Sequence, residues 1–290
     1  MSLIKTTREL SDWFESHNRK NMTLGFVPTM GYLHDGHLSL IKKARADNNL
    51  VVVSIFVNPL QFGPGEDYEK YPRDIEHDYK LAREAGADVI FNPDAGEIYV
   101  PGSSTEVEVK GDLTKKLCGA SRPIHFKGVT TVVNILFNIV RPDRAYFGQK
   151  DAQQAIIIKK MVRDLHMPLE IVVCPIVREK DGLAMSSRNM YLGPDERKQA
   201  PALHRGLQKA HECFMSGAGD CTRVDKLIGI IRQEIEAEPL AKIEYIEIFD
   251  GDTLENIESI EPQRRALAAV AVRFGNTRLI DNIILSMGED

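Results

Sequence analysis

Between residues 23 and 175 the chain alternates short β-branched, apolar runs with stretches of helical periodicity. TLGFVP at 23–28 and VVVSIFV at 51–57 have the uninterrupted apolar character of strands buried on both faces. Between them Leu38, Ile41 and Ala44 to Ala46 recur at helical spacing. Strand, helix and strand in so short a stretch form a βαβ unit, for which a right-handed crossover is expected. The alternation continues with a helix near 73–86 before DVIF at 88–91, and a helix near 128–140 before RAYFG at 144–148. A helix near 151–165 then leads to LEIVVCP at 169–175. Such a pattern predicts an α/β fold, a Rossmann-like doubly wound parallel sheet with helices on both faces.

The pattern changes after residue 182. Residues 195–216 and 222–238 read as two amphipathic helices, and KIEYIEIFD at 242–250 alternates as a half-buried strand does. ALAAVAVRF and RLIDNIIL supply two further strands. Helices followed by strands predict a smaller C-terminal α+β domain over 183–290, after a first domain over 1–182. The length of 290 residues accommodates one large and one small domain.

A net charge of −5 argues against a general nucleic-acid binder. No stretch approaches the roughly 20 apolar residues of a membrane span, and the N-terminal MSLIK lacks the apolar core of a signal peptide. Cys118, Cys174, Cys213 and Cys221 form no Cys-x-x-Cys pair, which predicts a reducing, cytoplasmic setting rather than a disulfide framework or zinc site.

Chemistry-bearing residues gather where strands give way to helices. Pro28-Thr29-Met30-Gly31-Tyr32-Leu33-His34-Asp35-Gly36-His37 follows the first strand, at the carboxyl edge where α/β sheets bind ligands. Gly31 permits a tight turn, and Gly36 lets an anion approach the N-terminus of the next helix. His34 and His37 are three residues apart at that helix start, so both imidazoles can face one anion. Phe147-Gly148-Gln149-Lys150-Asp151 repeats the arrangement, with a lysine to reach phosphate. Met185-Ser186-Ser187-Arg188-Asn189 places two hydroxyls, a guanidinium and an amide in one irregular segment, a set suited to polyphosphate.

His34-Asp35-Gly36-His37 resembles the His-x-Gly-His signature of the nucleotidyltransferase superfamily, and Met185-Ser186-Ser187-Arg188 resembles that superfamily's second phosphate-binding loop. Within it, PTMGYLHDGH, SIFVNPLQF (54–62), YPRD (71–74), RPIHFKGV (122–129), FGQKDAQQ (147–154) and DGLAMSSRN (181–189) resemble the pantothenate synthetase family. The resemblance implies an ATP-dependent ligase that activates pantoate as an adenylate and passes it to β-alanine, releasing AMP. It implies that Met30, Gly31, Tyr32, Leu33, His34, Asp35, Gly36 and His37 line the ATP site, with His37 catalytic and His34 beside it. Gly148, Gln149, Lys150 and Asp151, then Val177, and then Met185, Ser186, Ser187 and Arg188 would complete it, Lys150 and Arg188 as catalytic groups. Gln61 would touch both pantoate and β-alanine, Gln154 would hold pantoate, and Asn58 and Arg122 would shape that pocket. Asp78 would act near Mg2+. The C-terminal domain would serve as a lid, and the family implies a homodimer.

This chain departs from the family pattern at Gln149, where Phe-Gly-Glu-Lys-Asp is usual, at Cys118, where glutamate is usual, and at Ile124, where glycine is usual.

The chemistry agrees with the resemblance. A carboxylate nucleophile is ionised at neutral pH, so adenylation requires in-line positioning and charge neutralisation rather than a general base. Two other readings remain open on sequence alone: a nucleotidyltransferase that leaves the nucleotide on its product, and a nucleotide-binding module without turnover.

Overall fold

The computed structural model describes residues 1–17 and 19–288, in two compact units, Met1–Pro175 and Ile176–Asp290. The sequence places the change of character at 182, within the second unit.

The first unit is built on a six-stranded sheet in the order β1-β4-β3-β2-β5-β6. Its strands are β1 (Ser2–Ile4), β2 (Leu24–Thr29), β3 (Leu50–Ile55), β4 (Val89–Phe91), β5 (Arg144–Gly148) and β6 (Glu170–Cys174), and all its pairings are parallel. The helices are α1 (Thr7–Ser16), α2 (Asp35–Asp47), α3 (Ile75–Ala85), α4 (Ala95–Ile98), α5 (Cys118–Ser121), α6 (His125–Val140) and α7 (Ala152–Asp164). Alternate strand residues enter separate cores. Phe26 and Val52 pack with α1, α6 and α7 residues such as Leu10, Phe137 and Ile158. Val27, Val51 and Val53 pack with Ile41, Ala44 and Ala82 of α2 and α3. The sheet is therefore doubly wound, as its apolar runs predict.

The elements unforeseen in the sequence are short or lie at the N-terminus. β1 is only three residues long, and α1 is announced by a capping box in which Thr6 and Glu9 satisfy each other's backbone N–H groups. The helix is polar apart from a few residues, one of which, Leu10, is fully buried.

In the second unit α8 (Pro194–Gln199), α9 (Ala202–Ser216) and α10 (Val224–Glu236) accompany a three-stranded antiparallel sheet of β7 (Ala241–Asp250), β8 (Ala266–Phe274) and β9 (Thr277–Leu285). Leu207, Phe214, Leu227 and Ile231 of the helices share its core with Ile248, Val270 and Leu279 of the strands. The single helix expected over 195–216 is interrupted at Pro201, which cannot donate into a continuing helix.

The cysteine reading also needs correction. Cys213 and Cys221 form a disulfide with Cα atoms 5.5 Å apart, tying the end of α9 to the segment before α10. Their spacing across a helix end carries no recognisable motif, and Cys118 and Cys174 stand outside any disulfide. Among the described residues no helix is long and apolar enough to cross a membrane.

Candidate active site

Strand order reverses at β2, which pairs with β3 on one side and β5 on the other. Ligands of open α/β sheets bind beyond the carboxyl ends of strands at such a point. Phe26 pairs with Ala145, so three residues further on Thr29 stands level with Gly148. The loops that follow these two strands, Met30 to His37 and Gln149 to Asp151, therefore leave the sheet side by side.

The first loop is clamped from below. Gly31 has φ +87°, and a Cβ there would meet Asp78 Oδ2 and Ile55 Cγ2, each at 2.8 Å. Tyr32 also has positive φ. This unfavourable backbone is held by Asp78, whose Oδ2 accepts from Tyr32 N–H at 2.8 Å and whose Oδ1 accepts from Leu33 N–H at 2.7 Å. Asp78 lies on α3 and is buried, and burial raises its pKa against the lowering effect of these two bonds.

His34 and His37 sit at the start of α2 with ring centroids 4.1 Å apart. His34 Nδ1 accepts from Gly36 N–H at 3.2 Å, and His37 Nδ1 accepts from His34 N–H at 3.3 Å. Both rings must therefore carry their proton on Nε2 when neutral. Burial, then the charge of Lys150, lowers the His34 pKa to about 4. Burial, then His34, then Lys150 hold His37 well below its usual value. The pair is neutral at pH 7 and offers Nε2–H donors rather than positive charge. The Gly36 N–H at this helix start is engaged by His34. Lys150 arrives from the other loop, its Nζ 3.8 Å from the Asp151 carboxylate. A Cβ on Gly148 would meet nothing within 4 Å, so the space beside this glycine is open.

Around Gln61 the polar groups are densely connected. Asn58 caps the turn Pro59–Gln61, accepting from Leu60 N–H at 3.2 Å. The Arg122 guanidinium binds both oxygens of Glu66, at 2.8 and 2.5 Å, and donates to the Gln61 carbonyl at 3.2 Å. His125 Nδ1 also lies 3.0 Å from that carbonyl, so it donates, while Nε2 accepts from Arg122 at 3.1 Å. Burial, then Arg122, lowers the His125 pKa to about 4, consistent with a neutral ring bridging two fixed partners. The side chain of Gln154, half-buried on the first turn of α7, makes no hydrogen bond among the described residues. Its amide is free to meet a ligand.

In the second unit Val177 and Met185 are joined by a backbone bond, Met185 N–H to Val177 O at 3.0 Å. The chain reverses between them at Gly182, with φ +92°. Arg178 anchors the reversal, donating to Gly182 O at 3.0 Å and to both Asp281 oxygens at 2.6 and 3.0 Å. Ser186 caps the next turn, Ser187–Tyr191, by accepting from Arg188 N–H at 3.3 Å. Asn189 donates to Glu179 Oε1 at 2.8 Å and to Ala184 O at 3.1 Å.

A profile of the pantoate-beta-alanine ligase family matches residues 2–284. The chain belongs to that family. The pantothenate synthetase of Thermotoga neapolitana is 54% identical over 285 residues, spanning 98% of this chain and 100% of its own length. That of Acetivibrio thermocellus is 53% identical over 287 residues, 99% of this chain and 100% of its own. Among solved structures, the pantothenate synthetase of Thermus thermophilus superposes with a TM-score of 0.90 at 46% identity, covering 99% of this chain and 100% of that one. The pantoate-beta-alanine ligase of Francisella tularensis, complexed with β-γ ATP and β-alanine, gives a TM-score of 0.79 at 35% identity, with 99% of both chains covered.

The ligase fold brings Met30 to His37, Lys150, Gln61, Asn58, Arg122 and Gln154 into one unit, and Val177 and Met185 to Arg188 into the other. Sequence reasoning missed Glu66, Tyr99, His125, Arg178 and Asp281, which hold the named residues in position. RPIHF did contain a signal for one of them, since Arg122 and His125 lie three residues apart at a helix start.

The ligase family's use of ATP raises the question of magnesium. Among the described residues no group of three or more His, Cys, Asp or Glu could hold a metal ion. Asp78 has each oxygen engaged by a backbone N–H of the loop after β2. The donor set does not suit a magnesium ion held mainly by the protein, which takes about six oxygen ligands.

Proposed function

We propose that this ligase condenses pantoate with β-alanine at the expense of ATP, through a pantoyl-adenylate. The observation that carries the reading is the pair of neutral imidazoles at the exit of β2, beside Lys150 from the exit of β5. In the first step a pantoate carboxylate oxygen bonds to the α-phosphorus as the bond to pyrophosphate breaks. The Nε2–H groups of His34 and His37 donate to phosphate oxygens, and Lys150 neutralises charge on the departing group. Neutral imidazoles suit this task because no proton need move. Ser186, Ser187 and Arg188 give the C-terminal domain its phosphate-binding loop, with Val177 and Met185 at its base.

Gln61 and Gln154 hold pantoate, and Asn58 and Arg122 fix Gln61. Magnesium enters with ATP as part of the substrate, its ligands chiefly phosphate oxygens. In the second step the neutral amine of β-alanine bonds to the acyl carbon, AMP departs with the bonding pair, and the amine loses a proton. Uncharged amine becomes more abundant as pH rises, so this step favours alkaline pH. A cytoplasmic homodimer belongs to the same reading and rests on the family resemblance; the Cys213–Cys221 pair does not add to the case for a reducing compartment.

The test is isotope exchange of pyrophosphate into ATP with magnesium and pantoate present and β-alanine absent. Exchange that depends on pantoate is expected. Exchange that appears only once β-alanine is added would overturn the adenylate mechanism even if pantothenate is formed.

A further inference from the structure

Gln61 is buried at 9% exposure, and the orientation of its amide can be derived from groups whose roles are not adjustable. A peptide N–H only donates and a peptide carbonyl only accepts. Asn58 Oδ1 lies 3.2 Å from Leu60 N–H, and Asn58 Nδ2 lies 3.0 Å from the Gly128 carbonyl, so the two ends of the Asn58 amide are fixed. Gly128 makes the second contact possible. A Cβ there would fall 2.2 Å from the Leu60 carbonyl oxygen, so only glycine lets α6 approach this turn. Asn58 Nδ2 then donates to Gln61 Oε1 at 3.2 Å, which settles the polarity of the second amide. Gln61 Nε2 is left pointing away from Asn58, and the atom it meets is Met30 Sδ, at 2.9 Å.

A thioether is a weak acceptor. Exchanging it for a carboxylate or hydroxyl oxygen improves the bond, whereas exchanging it for another donor does not. Met30 belongs to the loop that leaves β2, so the sulfur is a replaceable partner at the edge of the nucleotide side.

Tyr99 completes the chain from behind. It caps the short helix α4, its ring packs 6.2 Å from that of Phe56, and its hydroxyl donates to Asn58 Oδ1 at 2.6 Å. Burial raises its pKa above the ordinary phenol value, so it stays a donor throughout the working range of pH.

We infer that Tyr99, Asn58 and Gln61 form a relay of fixed polarity that presents Gln61 Nε2–H to an acceptor oxygen of the substrate acid, with Tyr99 as a positioning residue. The inference rests on the reading of Gln61 as a contact to pantoate.

Three variants separate the possibilities by pyrophosphate exchange with pantoate and ATP varied in turn, alongside thermal denaturation. Tyr99→Phe keeps the ring and removes one hydrogen bond. It is expected to raise KM for pantoate by about three- to tenfold, the scale of one hydrogen bond, with KM for ATP and Tm little changed. Gln61→Ala should raise KM for pantoate further. Gln61→Glu should be worse than Gln61→Ala at pH 8, since a carboxylate accepts from Asn58 but turns an anionic acceptor toward an anionic substrate. That deficit should narrow as pH falls toward 5. Wild-type behaviour in Tyr99→Phe while Gln61→Ala is impaired would remove Tyr99 from the relay. A Tyr99→Phe protein with lowered Tm and both KM values shifted alike would make its role structural and also overturn the inference. Gln61→Glu matching or exceeding Gln61→Ala would reverse the polarity. An unimpaired Gln61→Ala would sink the assignment of Gln61 itself, and with it the relay.

Discussion

The rings of His34 and His37 lie 4.1 Å apart because each uses its Nδ1 to cap the same helix start, leaving both Nε2–H groups for a ligand. Two roles meet in each imidazole. Replacing either by alanine removes a preorganised donor, which lowers adenylate formation by about 10²-fold or more. It also removes a cap, which lowers stability by about 1 kcal/mol. The measurements are single-turnover adenylate formation and denaturant unfolding. Near-normal rates in a folded variant would take that histidine out of the mechanism.

The same burial makes stability depend on pH. In an unfolded chain a histidine titrates near 6.5, whereas His34 and His125 titrate near 4 in the fold and His37 also titrates well below 6.5. Between these values the unfolded chain binds more protons than the native one. Stability is therefore full above pH 6.5 and falls as pH drops toward 4, by up to about 1.4 kcal/mol per pH unit for each histidine. Thermal unfolding between pH 7 and pH 5 tests this, and His125→Gln should flatten the slope. A Tm unchanged across that interval in the wild-type chain would contradict the burial of these rings.

Gly31 and Asp78 are expected to fail in related ways. Gly31→Ala forces a side chain into positive φ and against two atoms at 2.8 Å, and should destabilise by about 2 kcal/mol or more. Asp78→Asn keeps one acceptor and turns its NH2 toward the second backbone N–H, at a cost of about 1–3 kcal/mol. Both variants should also raise KM for ATP, since the loop they hold carries His34. Unchanged stability and KM in Asp78→Asn would remove it as the clamp.

The fold was legible in sequence where burial imposes a strong pattern. LGFVPT and LVVVSI are apolar apart from Thr29 and Ser54 because each strand faces a core on both sides, and that pattern is plain in the bare sequence. β1 has only three residues, too few to show a period, and Pro201 sits inside an amphipathic stretch whose periodicity continues across it. At the site, glycines and histidines at strand exits were readable because their chemistry is local. The groups that support Gln61 were not: packing of α4 brings Tyr99 to Asn58, packing of α6 brings His125 to the Gln61 carbonyl, and Glu66 acts through Arg122. The neutral state of the histidines was likewise hidden, since desolvation depends on what covers a ring and not on its neighbours in the chain. The Cys213–Cys221 pair became visible only when the end of α9 and the following loop were folded together.

The last prediction concerns Asp281, a residue far in sequence from every segment proposed to bind phosphate. It is 2% exposed, and its carboxylate takes both terminal nitrogens of Arg178 as well as the Asn282 N–H at 2.8 Å. Arg178 in turn holds the Gly182 carbonyl, and a Cβ on Gly182 would lie 2.4 Å from His204 Cδ2, so this reversal has little room to move. The segment Ser186 to Arg188 begins three residues after Leu183, whose carbonyl closes the reversal by accepting from Glu179 N–H at 2.8 Å. Asp281→Asn keeps the shape but loses the charge and one acceptor. Arg178 then lacks its bidentate partner, the reversal loosens, and stability falls by about 3 kcal/mol, the lower end for breaking a buried pair. If Ser186 to Arg188 bind the phosphates, KM for ATP in pyrophosphate exchange should rise by about tenfold while KM for pantoate stays within about twofold. Equal rises in both constants would point to global loosening. A lowered Tm with unchanged KM for ATP would detach Asp281, and the reversal it anchors, from nucleotide binding.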